Sequence, residues 1–384
     1  MISRACLTAL ALLLILAAPA QAQRRRAPPM PAQHVVIMDA ASGLVLSCEQ
    51  CEAAVAPASM SKLMTVLLVL EALERGEITL ETRYRVSEYA WRQHGAPSGG
   101  SHMFLPIHSE IAVRDLLRGA VIVSANDACV VLAEGFAGSE AAFVERMNRR
   151  ARELRLRSAH FANATGVDDP RHVISTLDLA RLARHLIVHF PDFYRTYGER
   201  SFTFSDHTQE NRNPLLGAFD GADGVKTGHT DTSGYGMVGS ATRGEQRRII
   251  VFNGANSMQA RRTEALRLMR SAFEDYTVTR LAAAGAQVGE AQVRLGDRRS
   301  VPLLAREDIY VGGPHGFQSG LSARLIYQGP LRAPIRRGAL VASLVVEGPG
   351  FDRREFPLVA GRDIGPNWFS SVFEGLRLSL FGAE

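Results

Sequence analysis

Apolar and polar residues change rhythm repeatedly along the chain. His34-Val-Val-Ile-Met-Asp39 and Gly43-Leu-Val-Leu-Ser47 are short apolar runs on either side of Ala40-Ala41-Ser42, the pattern of a β-hairpin. From Ser59 to Leu73 the spacing turns helical. It stays helical over Asp115–Ser124 and Asp127–Gly135, with a break between them, and again over Gly138–Arg157 and Ser175–Phe190. Pro170 and Pro191 mark breaks. Three strand-length segments follow at Gly224–Thr230, Tyr235–Thr242 and Arg247–Phe252, separated by Gly-containing turns, and Arg261–Phe273 reads as a closing helix. With the first hairpin these strands make one antiparallel sheet flanked by helices, an α/β (α+β) domain over residues 34–278.

From about Ala282 the texture changes. Short apolar stretches alternate with Gly, Pro and Arg turns: a segment near Gln287, then Ser300–Leu304, Asp308–Val311, Ala323–Tyr327 and Ala339–Val346. This predicts a small all-β domain over 282–361. The end of the chain, 365–382, is amphipathic. Trp368, Phe369, Val372, Phe373, Leu376 and Leu380 share one helical face, with Ser371, Glu374 and Arg377 off it. Such an aromatic-rich terminal helix suits a membrane interface, in preference to docking on its own domain. Its single Arg and single Glu make attraction to anionic lipid weak.

The N-terminus reads as a secretory signal peptide over 1–22. Arg4 supplies the positive region, Leu7–Leu16 the apolar core and Ala20-Gln21-Ala22 the small-residue cleavage site. The apolar run is too short for a good membrane span, which disfavours an uncleaved anchor. Residues 23–33, rich in Arg and Pro, form a linker. The protein is therefore expected to be exported.

Composition adds limits. The 384 residues leave room for two domains, and 46% hydrophobic content supports a real core. The net charge of +5 is mild, and the basic residues are spread out except at Arg24-Arg25-Arg26. No basic patch interleaves with aromatics, so nucleic acid is not an expected partner. The histidines show no metal-ligand spacing, and no metal or organic cofactor is expected. Cys48 and Cys51 are spaced either for a small disulfide in an oxidising compartment or for two free thiols. Cys129, in an apolar helical run, reads as a buried small hydrophobe.

One bias changes the picture. Of 44 basic residues only Lys62 and Lys226 are Lys. Arg serves wherever a permanent cation suffices, whereas Lys can lose its proton when desolvated. Both lysines stand in motifs. In Ser59-Met60-Ser61-Lys62, residues three apart share a helical face, so Lys62 can act as base for the otherwise weak Ser59 nucleophile. In Ser124-Ala125-Asn126, a loop between helices can present Ser124 as a proton relay and Asn126 as a holder of a substrate amide. In Lys226-Thr227-Gly228, Lys226 and Thr227 can receive a carboxylate, and Gly228 lets a substrate backbone approach. Each triplet alone is weak. Together they form the signature set of β-lactamases and penicillin-binding proteins.

The chain resembles the low-molecular-mass penicillin-binding proteins, the serine-type D-alanyl-D-alanine carboxypeptidases. The likeness extends through Pro57–Thr65, Ser124–Cys129, Phe202-Thr-Phe204, Asn211-Arg-Asn213 and Asp223–Asp231, and spans essentially the whole mature chain. Ala125 stands where Gly is expected, and the Cys48/Cys51 pair is a further departure. The resemblance implies a β-lactamase/transpeptidase-like catalytic domain with Ser59, Lys62 and Ser124 as catalytic residues. It implies substrate binding by Asn126, Lys226, Thr227, Gly228 and His229, with Arg212 nearby; His229 would act mainly through its backbone. It also implies peptidoglycan stem peptides as substrate, β-lactam antibiotics as covalent inhibitors, and a peripheral place on the periplasmic face of the inner membrane. A class A β-lactamase needs a downstream Glu for deacylation, and no Glu lies between Arg155 and Gly198. An endopeptidase or transpeptidase shares the triplets, and a non-catalytic wall-binding scaffold is opposed by the intact set of polar site residues.

Overall fold

The computed structural model describes residues 32–348 and 351–367. The expected signal peptide, residues 23–31 of the expected linker and residues 368–382 of the expected terminal helix lie outside the described residues. Residues 365–367, the expected start of that helix, are not helical: Pro366 forms a β-bridge with Gly296.

The expected hairpin forms from β1 (His34–Asp39) and β2 (Val45–Glu49). Asp39 holds its turn: one carboxylate oxygen accepts from the Ser42 N–H at 2.8 Å and the Ser42 hydroxyl at 2.5 Å. The other receives the fully buried Arg248 guanidinium. Cys48, near the end of β2, is joined in a disulfide to Cys51 just beyond the strand. A 3₁₀ turn, Ala58–Ser61, runs directly into α1 (Lys62–Glu74). The ribbon of β3 (Arg83–Arg85) and β4 (Glu110–Ala112) leads to α2 (Val113–Arg118), which continues as a π turn over Gly119–Val123. Three long helices follow: α3 (Asn126–Ala137), α4 (Glu140–Glu153) and α5 (Thr176–His189). Ser139 and Ser175 cap α4 and α5 by accepting from the Ala142 and Asp178 N–H groups. A short α6 (Pro191–Tyr194) and the hairpin of β5 (Ser201–Phe204) and β6 (His207–Glu210) precede the main strands.

Those strands are β7 (Ala222–Thr230), β8 (Gly234–Arg243) and β9 (Gln246–Ala255), followed by α7 (Met258–Glu274). The antiparallel sheet has the order β2-β1-β9-β8-β7, so β7 is an edge. Its faces feed separate cores. Val36, Met38, Ile249 and Val251 pack with the helices α1 to α5, while Val35, Ile37, Ile250 and Phe252 pack with α7. This is the period-two alternation of a strand. Each such side chain stabilises by about 1.5–3 kcal/mol when buried, so a one-residue slip of β1 or β9 would exchange both cores at once.

β10 (Tyr276–Ala282) leaves α7 directly and starts an all-β unit of β11 (Gln287–Arg294), β12 (Ser300–Ala305), β13 (Ile309–Pro314), β14 (Ser322–Ile326), β15 (Leu331–Arg332), β16 (Leu340–Gly348) and β17 (Phe351–Ala360). β10 pairs with β13, and the rest form a six-stranded sheet of order β14-β16-β17-β12-β11-β15 with a core of its own. The unit meets the first sheet where Tyr276, Val278 and Tyr310 pack on the α7-side core. Among the described residues no helix is long and apolar enough to cross a membrane.

Candidate active site

Ser59 lies in the 3₁₀ turn rather than in the α-helix that the sequence pattern predicts. In that geometry residues three apart eclipse, and Lys62 Nζ lies 2.7 Å from Ser59 Oγ. The turn is locked from below. Ala58 is left-handed at φ 48°, and its carbonyl accepts from the Ser61 hydroxyl at 3.1 Å. A left-handed non-Gly residue is strained and persists only where its surroundings hold it.

Lys62 is 1% exposed. Besides Ser59, its Nζ reaches Asn126 Oδ1 at 2.7 Å and the Thr165 carbonyl oxygen at 2.5 Å. Burial lowers its pKa to about 8, helped by the charge of Arg212 and opposed by Cys129 and Asp127. Sequence reasoning did not single out Thr165, because a backbone carbonyl leaves no mark in residue type. The Thr165 peptide is fixed by Asn163, whose Oδ1 accepts from the Thr165 and Gly166 N–H groups at 3.1 and 2.7 Å. Gly166 has φ 82°, and a Cβ there would fall 2.0 Å from the Ala58 carbonyl oxygen. This loop and the Ser59 turn therefore interlock.

Ser124 follows the π turn at φ 64°, is 4% exposed and lines the cleft. Asn126 faces Lys62 with its carbonyl oxygen, leaving Nδ2 beside Gly100. Its own N–H donates to the Ser101 carbonyl at 2.7 Å. Asp127, buried and equally unmarked by sequence reasoning, accepts from the Met103, Leu105 and Ala128 N–H groups. Burial raises its carboxyl pKa to about 6, against those hydrogen bonds. The loop over residues 100–105 is thus tied to the start of α3.

The opposite wall is the edge strand β7. Lys226 is buried, and its Nζ donates to the Thr227 carbonyl at 3.1 Å. Burial drives its pKa well down, with Lys62 and Arg212 adding repulsion. Thr227, Gly228 and His229 line the cleft. A Cβ on Gly228 would lie 2.8 Å from the Pro57 carbonyl oxygen and 3.1 Å from Met60 Cγ. The close approach that this glycine permits is thus to the Ser59 turn. The His229 ring is exposed and meets the Tyr235 ring edge-on at 3.7 Å.

Arg212 Nη1 donates to Ser101 Oγ at 2.5 Å, and burial lowers its pKa. Arg261, on α7, is a further cation at the cleft. It is 7% exposed, its guanidinium sits 5.5 Å from the Tyr235 ring centroid, and its buried Nε has no hydrogen-bond partner among the described residues. One more Arg among 42 gave no signal in the sequence. The cleft holds about 630 Å³, and every sequence-predicted site residue reaches it or Lys62 directly, save Lys226, which lies behind Thr227. Two arginines, Arg212 and Arg261, line the cleft against a single acid, Glu210, a field that favours an anionic ligand.

A serine with a desolvated lysine one turn away, a Ser-x-Asn loop opposite and a Lys-Thr-Gly edge strand define a serine acyl-transfer enzyme of the Ser-x-x-Lys type. Residues 21–257 match the D-alanyl-D-alanine carboxypeptidase family, and residues 276–365 match the C-terminal domain of penicillin-binding protein 5. The chain belongs to the D-alanyl-D-alanine carboxypeptidase family and is a serine-type carboxypeptidase. It is 35% identical over 361 residues to D-alanyl-D-alanine carboxypeptidase DacA of Haemophilus influenzae, covering 92% of this chain and 91% of that one. The crystal structure of penicillin-binding protein 5 from the same organism aligns with TM-score 0.81 at 35% identity, over 88% of this chain and 99% of that one. Penicillin-binding protein D2 of Listeria monocytogenes, solved in its ampicillin-bound form, is 30% identical with TM-score 0.55, over 63% of this chain and 97% of that one.

Proposed function

We propose that the enzyme removes the C-terminal D-alanine from D-alanyl-D-alanine stem peptides of peptidoglycan through an acyl-enzyme on Ser59. The observation that carries this is the set of partners around Lys62. Neutral lysine has two N–H donors and one lone pair. Asn126 Oδ1 and the Thr165 carbonyl oxygen are acceptors only, and both lie within hydrogen-bond distance of Nζ. They occupy both donors, so the lone pair faces the Ser59 hydroxyl, the orientation a base requires.

In this reading Lys62 takes the Ser59 proton as Oγ attacks the penultimate D-Ala carbonyl carbon. The Ser59 and His229 N–H groups stabilise the oxyanion, a large contribution in such sites. Lys62 and Ser124 return the proton to the departing D-Ala nitrogen as the C–N bond breaks. Lys226 and Thr227, with Arg212 and Arg261 close by, receive the terminal carboxylate. Water then hydrolyses the ester, with Lys62 again as base. A β-lactam would acylate Ser59 in the same way and leave slowly, as the ampicillin-bound Listeria relative suggests. The enzyme would act outside the cytoplasm, at the periplasmic face of the inner membrane, with the sheet and helices through α7 as the catalytic domain, the all-β unit from β10 onward as the β-domain and the expected terminal helix as a peripheral membrane contact.

The test is release of free D-Ala from diacetyl-Lys-D-Ala-D-Ala, with Ser59→Ala alongside. Release that vanishes in the variant supports the carboxypeptidase. Penicillin labelling of Ser59 without release would favour an endopeptidase or transpeptidase, and neither signal would favour a scaffold.

A further inference from the structure

Three segments meet where the β-domain hands the chain on to its last residues. Gly296 bridges Pro366, Ile335 bridges Ile364, and the Ala333 N–H donates to the Arg294 carbonyl at 3.1 Å. The Asn367 N–H closes the group by donating to the Leu295 carbonyl at 2.7 Å. The first segment carries Arg294, Arg298 and Arg299, the second Arg332, Arg336 and Arg337, and the third Arg362. All seven are exposed. The acids on these segments are Asp297 and Asp363, and Asp363 accepts from the Arg337 backbone N–H.

The arrangement opposes folding. Arg294 and Arg332 are in-register neighbours on parallel β11 and β15. Their predecessors Val293 and Leu331 pack against the domain core, so both arginines lie on the outward face. Like charges directly opposite destabilise a sheet. Arg298, Arg299, Arg332, Arg336, Arg337 and Arg362 make no ion pair among the described residues. Six guanidiniums without an ion pair, gathered in a collar at one end of a domain, favour an anion from outside.

We infer that this collar docks the β-domain on an anionic phospholipid surface. Guanidinium suits the phosphate oxygens of lipid headgroups, and basic clusters beside membrane-seeking segments are drawn to anionic leaflets. The chain leaves the collar at Asn367 and continues through Trp368, Phe369, Val372, Phe373, Leu376 and Leu380, with Arg377 its one basic residue. That sequence offers apolar contact and almost no attraction to anionic lipid; the collar supplies the charge. The inference deepens the membrane reading above but is separable from it, because apolar insertion is measured on neutral vesicles and the collar on the difference that anionic lipid makes.

The experiment is co-sedimentation of the full mature chain with phosphatidylcholine vesicles, without or with about 30 mol% phosphatidylglycerol. The expected result is tighter binding to the anionic vesicles, weakened by salt. Arg332→Gln/Arg336→Gln/Arg337→Gln should lower that binding at least about tenfold and leave binding to neutral vesicles unchanged. The triple Arg→Lys variant, which keeps the charge and controls for folding, should bind anionic vesicles nearly as well as wild type. Equal binding of wild type and the Gln variant to anionic vesicles at low salt would overturn the inference. So would equal losses in the Gln and Lys variants, or arginine-dependent binding to purified peptidoglycan sacculi with none to vesicles.

Discussion

Gly228 of the edge strand passes so close to Pro57 that a Cβ would stand 2.8 Å from the Pro57 carbonyl oxygen, two residues before Ser59. Backbone faces backbone, so neither side can yield by a side-chain rotation. Gly228→Ala should separate β7 from the Ser59 turn, lowering kcat/KM for D-Ala release about 100-fold and stability by about 1–3 kcal/mol. Steady-state kinetics and urea unfolding check the two effects, and an unchanged kcat/KM would show that the contact does not set the site.

Lys62 and Lys226 should respond differently to Arg. Lys62→Arg keeps the charge but removes the base, since Arg holds its proton; acylation by fluorescent penicillin should fall about 100- to 10,000-fold. Lys226→Arg retains a cation for the carboxylate, and its loss should be nearer tenfold. Equal and total loss in both would mean that the compact ammonium matters at Lys226 as much as the titratable one at Lys62.

Burial lowers Lys62 from 10.5 to about 8. With Lys62 as the proposed base its neutral form is the active one, so kcat/KM should rise with pH along a limb of apparent pKa about 8 and level off above it. The stability effect has the same sign. Between about pH 8 and 10.5 the unfolded chain carries a proton on this lysine that the folded chain has released. Unfolding takes that proton up, so the Lys62 contribution favours folding increasingly as pH rises through the window. A kcat/KM profile flat from pH 6 to 9 would be incompatible with Lys62 as base.

The sheet, its flanking helices and the β-domain were legible because their burial repeats at the strand and helix periods. The 3₁₀ turn at Ser59 was not, because its residues also suit an α-helix and only the left-handed Ala58, interlocked with Gly166, tightens it. β5, β6, β10 and β17 escaped a reading based on apolar runs: β6 is His207-Thr-Gln-Glu210, and β17 carries Asp352, Arg353, Arg354 and Glu355 in its first half. The structure gathers the residues announced by type and spacing around one cleft and Lys62. Thr165, Asp127 and Arg261 join them through a backbone carbonyl, a buried carboxylate that ties down the 100–105 loop, and an approach from distant α7, none of which local spacing encodes.

The sequence left Cys48 and Cys51 open between bonded and free, and the structure joins them. The closed loop is short, so the cross-link should contribute about 2 kcal/mol. The neighbouring segment is pinned independently: the Cys51 carbonyl accepts from the Leu177 N–H, Val55 bridges Ile174, and Asn253 Nδ2 donates to the Ala56 carbonyl. Cys48→Ala/Cys51→Ala should therefore lower the urea midpoint while D-Ala release stays within about twofold of wild type. A large loss of activity would assign the disulfide to positioning Ser59.

Because the chain has only two lysines and both are buried, at 1% and 4% exposure, its folded surface offers amine chemistry almost nothing but the α-amino group. N-hydroxysuccinimide esters should couple the native enzyme through its N-terminus, giving a single attachment orientation on a bead or sensor chip. A lysine-specific protease should leave the folded enzyme intact and cut only after Lys62 and Lys226 once it unfolds, so its digestion would report global opening without interference from surface sites.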